Sequence, residues 1–186
     1  MRIITGRARG LKLKTPAGFL TRPTSDRIKE SLFSVLGGLI NFSEINSVLD
    51  IFAGTGALGL ESISRGAKSA TFIDATTTEI IRDNATRAKF ISECKILRGD
   101  FEKILRRLAK KNLSFDLIFS DPPYATGLAE KSLKLVAESN LLNAGGLMII
   151  EHGAEEILDV KNFNLLRKIT YGHTTAIEIF FRELEA

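Results

Sequence analysis

Among 186 residues there is one cysteine, Cys94, and there are two histidines, His152 and His173. A lone cysteine closes no disulfide within the chain, and this set cannot assemble a structural zinc cluster of the usual kind, so no metal is expected. Nor does any apolar run approach the ~20 residues that cross a bilayer, which argues against membrane insertion. The opening residues Met1-Arg2-Ile3-Ile4-Thr5-Gly6-Arg7 lack the apolar core of a secretory signal, so the expected location is the cytoplasm. Long linkers, repeats and low-complexity tracts are missing too. At this length one well-buried core fits, but a catalytic domain with a large second domain does not. A monomer is expected.

What is present is ordinary in amount, with 44% hydrophobic and 26% charged residues, but uneven in placement. Residues 1–30 hold eight basic side chains (Arg2, Arg7, Arg9, Lys12, Lys14, Arg22, Arg27 and Lys29) against Asp26 and Glu30, a balance of +6. The whole chain carries +4, so everything after residue 30 sums to −2. A basic block on a near-neutral chain is the footprint expected for a phosphate backbone, the alternative being a solvated basic arm.

Along the chain, residues 2–5 and 11–14 alternate as short strands around Gly6 to Gly10, predicting a basic β-hairpin closed by Pro16 and Gly18. The turn-like Arg22-Pro23-Thr24-Ser25-Asp26 can cap a helix carrying Ile28, Leu32, Val35 and Leu36 at helical spacing, which Gly37-Gly38 would end. Arg22, Thr24 and Asp26 at that helix start can face a cleft. From Ser47 strands alternate with helices, the signature of a parallel α/β sheet. Strands are expected near 47–52, 70–74, 95–98, 115–120 and 146–151, with helices near 57–65, 77–90, 101–111 and 127–139. A final hairpin pair, about 164–170 and 175–181, completes a seven-stranded, mostly parallel sheet with helices on both faces.

Two segments carry chemistry. The apolar run Phe115 to Ser120 is stopped by Asp121-Pro122-Pro123-Tyr124, which leaves a carboxylate and an aromatic ring at a strand's carboxyl end, where open α/β sheets bind ligands. An acceptor beside an aromatic face suits a flat, amine-bearing substrate such as a nucleobase. Upstream, Gly54, Gly56 and Gly59 satisfy G-x-G-x-x-G, with Asp74 twenty residues past Gly54. A dinucleotide site uses the same spacing, so the glycines alone do not separate a nicotinamide enzyme from one using another adenosine cofactor. Asp50, before the glycines, would repel a pyrophosphate but attract an ammonium or sulfonium cation, and Asp100 suits an adenine amine. Strand ends presenting Asp50, Asp74, Asp100 and Asp121 describe a pocket for S-adenosylmethionine. For each acid singly, the competing role is a helix N-cap, which fits Asp100 best.

Leu49 to Glu61 and Arg65-Gly66-Ala67, with Arg22-Pro23-Thr24 upstream and Asp121-Pro122-Pro123-Tyr124, Ile149-Ile150-Glu151-His152 and Tyr171-Gly172 downstream, resemble the bacterial ribosomal RNA small subunit methyltransferase D family. The likeness departs at Asp74, where Glu is more usual, and at His173, where an acid is expected. The resemblance implies a Rossmann-like class I S-adenosylmethionine-dependent methyltransferase acting on the N2 amine of a guanine in small-subunit (16S) ribosomal RNA or an assembling subunit. It implies a methyltransferase domain over 21–186 behind a basic extension over 1–20. The implied catalytic residues are Asp121, Pro122, Pro123 and Tyr124. Cofactor contacts fall to Asp50, Phe52, Ala53, Gly54, Gly56, Asp74, Asp100, Phe101 and Thr24, and RNA contacts to Arg2, Arg7, Arg9, Lys12, Lys14 and Arg22. DNA adenine-N6 or cytosine-N4 methylation, a nicotinamide dehydrogenase and a non-catalytic RNA-binding assembly factor stay open as alternatives.

Overall fold

In the computed structural model, which describes residues 1–16, 24–158 and 163–183, strand and helix alternate from residue 48 onward. Strand β1 (Val48–Ile51) is buried at every position, as a central parallel strand covered on both faces must be. The other strands are β2 (Ala70–Asp74), β3 (Cys94–Arg98), β4 (Phe115–Ser120), β5 (Leu142–Gly153), β6 (Asn164–Tyr171) and β7 (Thr175–Phe181). They form one sheet in the order β3-β2-β1-β4-β5-β7-β6, in which β7 is antiparallel to both neighbours and the rest run parallel. Strand order reverses between β1 and β4, and in such sheets the crevice beyond the carboxyl ends at that point is the natural binding site.

Helices α1 (Thr24–Leu39), α2 (Ala57–Arg65) and α3 (Thr78–Arg87) pack on one face, burying Leu32, Phe33, Leu60, Ile63 and Ile81. On the other face lie α4 (Phe101–Ala109) and α5 (Leu128–Glu138), through Ile104, Leu105, Leu133 and Val136. The two-residue period of a strand sorts side chains between these layers. Leu117, Phe119, Leu147 and Ile149 belong to the first, Ile118, Met148 and Ile150 to the second. The same parity puts Asp50, Asp121 and Glu151 on the α1–α3 side at the carboxyl end.

Three expectations are revised. Helix α1 does not stop at Gly37-Gly38 but passes through both to Leu39, because fully buried Leu36 anchors its last turn. Strand β5 starts at Leu142, where it pairs with Phe115 across a bulge. The N-terminal arm has the Arg2–Lys12 bridge and the Ile3 N–H to Leu11 C=O bond rather than two strands, since Ile3 and Leu13 are turned into the core instead of lengthening a ladder. Gly18 and Arg22 lie outside the described residues.

Candidate active site

Pro122 and Pro123 offer no N–H to a neighbouring strand, so β4 ends at Ser120 and the chain turns over the sheet's carboxyl edge. There a cavity of about 1010 Å³ opens between the strand ends and α1. Asp121, Pro122, Pro123 and Tyr124 form one wall of it. Phe52, Ala53 and Gly54, with the acids Asp50, Asp74 and Asp100, form another, beside Phe101.

The glycine loop is a chain of left-handed residues, with φ of 60° at Phe52, 55° at Gly54 and 77° at Gly56. Phe52 bears a steric cost in this region that glycine escapes, a kind of strain that clusters at functional sites. Its ring packs against Phe101, centroids 4.7 Å apart, giving the cavity an apolar floor. Close approach fixes Gly59: a Cβ there would lie 2.4 Å from the Phe72 ring and 3.3 Å from an Asp50 oxygen. That closeness leaves the Gly59 N–H free to donate to Asp50 at 2.9 Å, so a strand residue caps α2 from below. Burial drives the Asp50 carboxyl up to about 7, the Gly59 bond working against it and the charge of Asp74 with it.

Asp74 accepts from the N–H groups of Gly54 at 3.0 Å and of Thr76 and Thr77 at 2.8 Å each. Half-burial pushes its carboxyl up, but these donors outweigh it and hold the group below the usual carboxylate range. Asp100 caps α4, accepting from the Lys103 N–H at 3.0 Å, and lines the cavity as well. Capping α4 therefore does not take this side chain away from the cavity wall.

Asp121 is exposed to the cavity, although the protein walls around it still strip part of its hydration. This desolvation, followed by the charges of Glu151 and Asp50, raises its carboxyl well above the ordinary range. The Tyr124 hydroxyl donates to Glu151 and lies 3.0 Å from Thr175 Oγ1, tying the loop to β5 and β7. Burial and then the Glu151 bond raise the phenol, so it remains a protonated donor at neutral pH. Glu156 fixes the same loop from outside, accepting from the N–H of Ala125 at 3.0 Å and of Gly153 at 3.1 Å.

Other anticipated residues are placed differently. Gly56 does not line the cavity, because its Cα faces Ile81, Leu60 and Phe72, so it serves the turn. The Thr24 side chain falls outside the described set, although its backbone starts α1. Arg2, Arg9 and Lys12 are exposed on the arm, whereas Arg7 pairs with Glu93 at 2.6 Å and covers the Phe90 ring at 4.6 Å, and Lys14 pairs with Asp83. Charge counting saw eight cations there but not the acids that meet them.

Several residues escaped sequence reasoning. Glu61 is fully buried and accepts from the N–H groups of Ile4 at 2.7 Å and Thr5 at 3.0 Å and from Arg65 at 2.8 Å, with Lys29 at 3.5 Å. Met1 reaches the cavity beside the glycine loop, its sulfur 3.3 Å from Thr55 Oγ1, and the Lys29 amine meets the Arg2 carbonyl. Glu151 also faces the cavity. Its one available signal was an acid ending an apolar strand, the pattern that singled out Asp121.

The sequence matches the protein family described as conserved hypothetical protein 95 over residues 1–180. It is 36% identical to YlbH of Bacillus subtilis over 178 residues, 94% of this chain and 95% of that protein. With ribosomal RNA small subunit methyltransferase D of Haemophilus influenzae it shares 35% identity over 175 residues, 92% of this chain and 89% of that one. The fold superimposes on the solved structure of YhhF from Escherichia coli with a TM-score of 0.83 at 32% identity, covering 100% and 99% of the two chains. With the strand order, the glycine loop and the Asp-Pro-Pro-Tyr corner in one cavity, the chain belongs to the conserved hypothetical protein 95 family, that of ribosomal RNA small subunit methyltransferase D.

Proposed function

We propose that this chain transfers a methyl group from S-adenosylmethionine to the exocyclic N2 amine of a guanine in small-subunit ribosomal RNA, acting as a cytoplasmic monomer on the RNA or on an assembling subunit. The observation that carries the reading is one cavity that joins the acid-lined glycine loop to the Asp121-Pro122-Pro123-Tyr124 corner. Its volume of about 1010 Å³ lies at the top of the range for a single small ligand, roughly 300–1,000 Å³, which leaves room for two reactants.

The residues fit that methyl donor. Asp50 is buried and poised near neutrality, so a cation beside it would draw it into the ionised form. Asp74 is held ionised and would accept from ribose hydroxyls, and Asp100 from an adenine amine. Phe52 and Phe101 would border the flat ring. A pyrophosphate at the glycine loop would instead meet Asp50, which disfavours the nicotinamide reading. S-adenosylmethionine supplies an electrophilic methyl carried on a sulfonium.

The rest falls to the chain. A guanine amine is a poor nucleophile because its lone pair is delocalised into the ring. By accepting from its two hydrogens, the Asp121 carboxylate and the Pro122 carbonyl would favour a tetrahedral nitrogen and aim its lone pair, so that placement supplies much of the rate. Asp121, with its raised proton affinity, is also suited to take the amine proton. Tyr124 would stack on the extruded base, worth ~1–3 kcal/mol against the few kcal/mol of unstacking. The relatives named as ribosomal RNA small subunit methyltransferase D support the polymer.

The test is incubation with labelled S-adenosylmethionine and small ribosomal subunits or their RNA lacking the modification, followed by nucleoside mass spectrometry. N2-methylguanosine at one site is expected. N6-methyladenosine, N4-methylcytidine, label in DNA alone, or binding without incorporation overturns the assignment.

A further inference from the structure

We propose that Glu151 selects guanine, its carboxylate accepting the ring N1–H while Asp121 accepts from the neighbouring N2 amine. This rests on the guanine-N2 reading above and adds the residue that would enforce it. Three observations support it. In the parallel pairing of β4 with β5, Ser120 is opposite Ile150, so Asp121, the first residue past β4, and Glu151, still inside β5, follow on neighbouring strands, whose usual spacing is about 4.8 Å. Both line the cavity, on the same side of the sheet. Glu151 is also held in place: it accepts the Tyr124 hydroxyl, which in turn lies 3.0 Å from Thr175, a residue 1% exposed. The aromatic corner and the second carboxylate are therefore one unit.

The chemistry of the bases completes the argument. Guanine places two kinds of donor side by side on its Watson–Crick edge, N1–H and the 2-amine. Adenine and cytosine place a ring nitrogen acceptor beside their amines. A carboxylate facing that acceptor meets a lone pair instead of a donor, which is costly, whereas guanine satisfies both carboxylates at once. Two neighbouring acids repel each other in the free protein, and the charge of Glu151 accordingly helps raise the proton affinity of Asp121. Among the described residues no side chain or backbone donor meets the Asp121 carboxylate, so this acceptor is kept for a ligand. A site built to hydrogen-bond a donor rejects an analogue lacking it far more strongly than an apolar pocket rejects a size change.

The experiment uses small-subunit ribosomal RNA joined from fragments, with either guanosine or 2-aminopurine riboside at the guanine located by nucleoside mapping. 2-Aminopurine keeps the 2-amine but has an acceptor at N1. The wild-type protein is expected to methylate guanine faster by roughly 10- to 100-fold. In Glu151→Gln, whose amide can donate to that acceptor, the preference shrinks toward parity, while S-adenosylmethionine binding shows that the fold is intact. Tyr124→Phe, which removes the tether but not the carboxylate, retains the guanine preference and loses rate. Equal rates on the two bases by the wild-type protein overturn the inference whether or not the variant folds, as does an unchanged ratio in Glu151→Gln. Methylation of adenine by the wild-type protein overturns the function proposed above as well.

Discussion

Two carboxyls, Asp50 and Asp121, have proton affinities raised above the ordinary carboxylate range. Asp50 is raised to about 7 chiefly by burial, so between about pH 4 and 7 the folded protein holds a proton that the unfolded chain has released. Stability therefore falls as pH rises through that window, by at most about 4 kcal/mol from this group, and levels off above it. Denaturant titrations at pH 5 and 8 should show the fall in the wild-type protein and a flatter response in Asp50→Asn. The sign reverses for the methyl donor: a sulfonium favours ionised Asp50, so affinity measured by calorimetry should rise about tenfold from pH 6 to 8, with proton uptake by buffer at the acid end. Asp121 gives a separate signature. Burial and then the Glu151 charge raise it, so methyl transfer should lose rate on acidification at a pH above the ordinary carboxylate range, and Glu151→Gln should move that acid limb downward.

The N-terminal arm depends on α2 in a way its basic composition concealed. Glu61 holds the arm's backbone at Ile4 and Thr5 and also faces Lys29 and Arg65, all inside the α1–α3 layer. Glu61→Ala would leave two N–H groups unsatisfied and strip the buried Lys29 amine of its facing carboxylate while the Arg2 carbonyl remains, a loss of about 3–5 kcal/mol by denaturant unfolding. Because Met1 touches Thr55 beside the glycine loop, the same variant should weaken binding of the methyl donor at a temperature where it remains folded. Gly59→Ala tests the loop directly. Its Cβ would fall 2.8 Å from Phe72 Cζ and 2.4 Å from Cε1, so the ring or α2 must shift and the Asp50 to Gly59 bond must lengthen. Destabilisation of roughly 1–3 kcal/mol is expected, together with weaker cofactor affinity.

Over the whole molecule, the arm's cations divide by what they meet. Arg9 and Lys12 are exposed, and their side chains make no hydrogen bond or ion pair among the described residues. Arg7 and Lys14 are engaged by Glu93 and Asp83. Reversing Arg9 and Lys12 to Glu should weaken binding to small-subunit RNA and lower the slope of log K against log salt by about 0.7–0.9 for each phosphate no longer neutralised, with unfolding unchanged. Reversing Arg7 should instead cost stability, because it breaks the Glu93 pair and uncovers Phe90. An equal fall in RNA affinity from both sets of substitutions would show that the ion pairs open when RNA binds. No helix among the described residues is long and apolar enough to cross a membrane.

The alternation of strand and helix was legible because period and punctuation are local. The apolar runs, the glycines and the two prolines place β1, α2, β4 and the corner at Asp121 within a residue or two, and the strand-end acids follow from them. Legibility failed where a partner is distant in sequence. That Asp50 caps the Gly59 N–H, that Glu61 holds residues 4 and 5, that Arg7 meets Glu93 and that Glu151 stands beside Asp121 depend on which strands and helices become neighbours. Burial itself is set at that level too, and with it the proton affinities of Asp50 and Asp121. The sequence by itself determined the order of elements and the residue types offered at their ends, because hydrogen bonding and hydrophobic period act over a few residues. Only the tertiary structure decided which cations were met by acids and which two carboxylates share a wall, because pairing and desolvation belong to groups brought together by the fold.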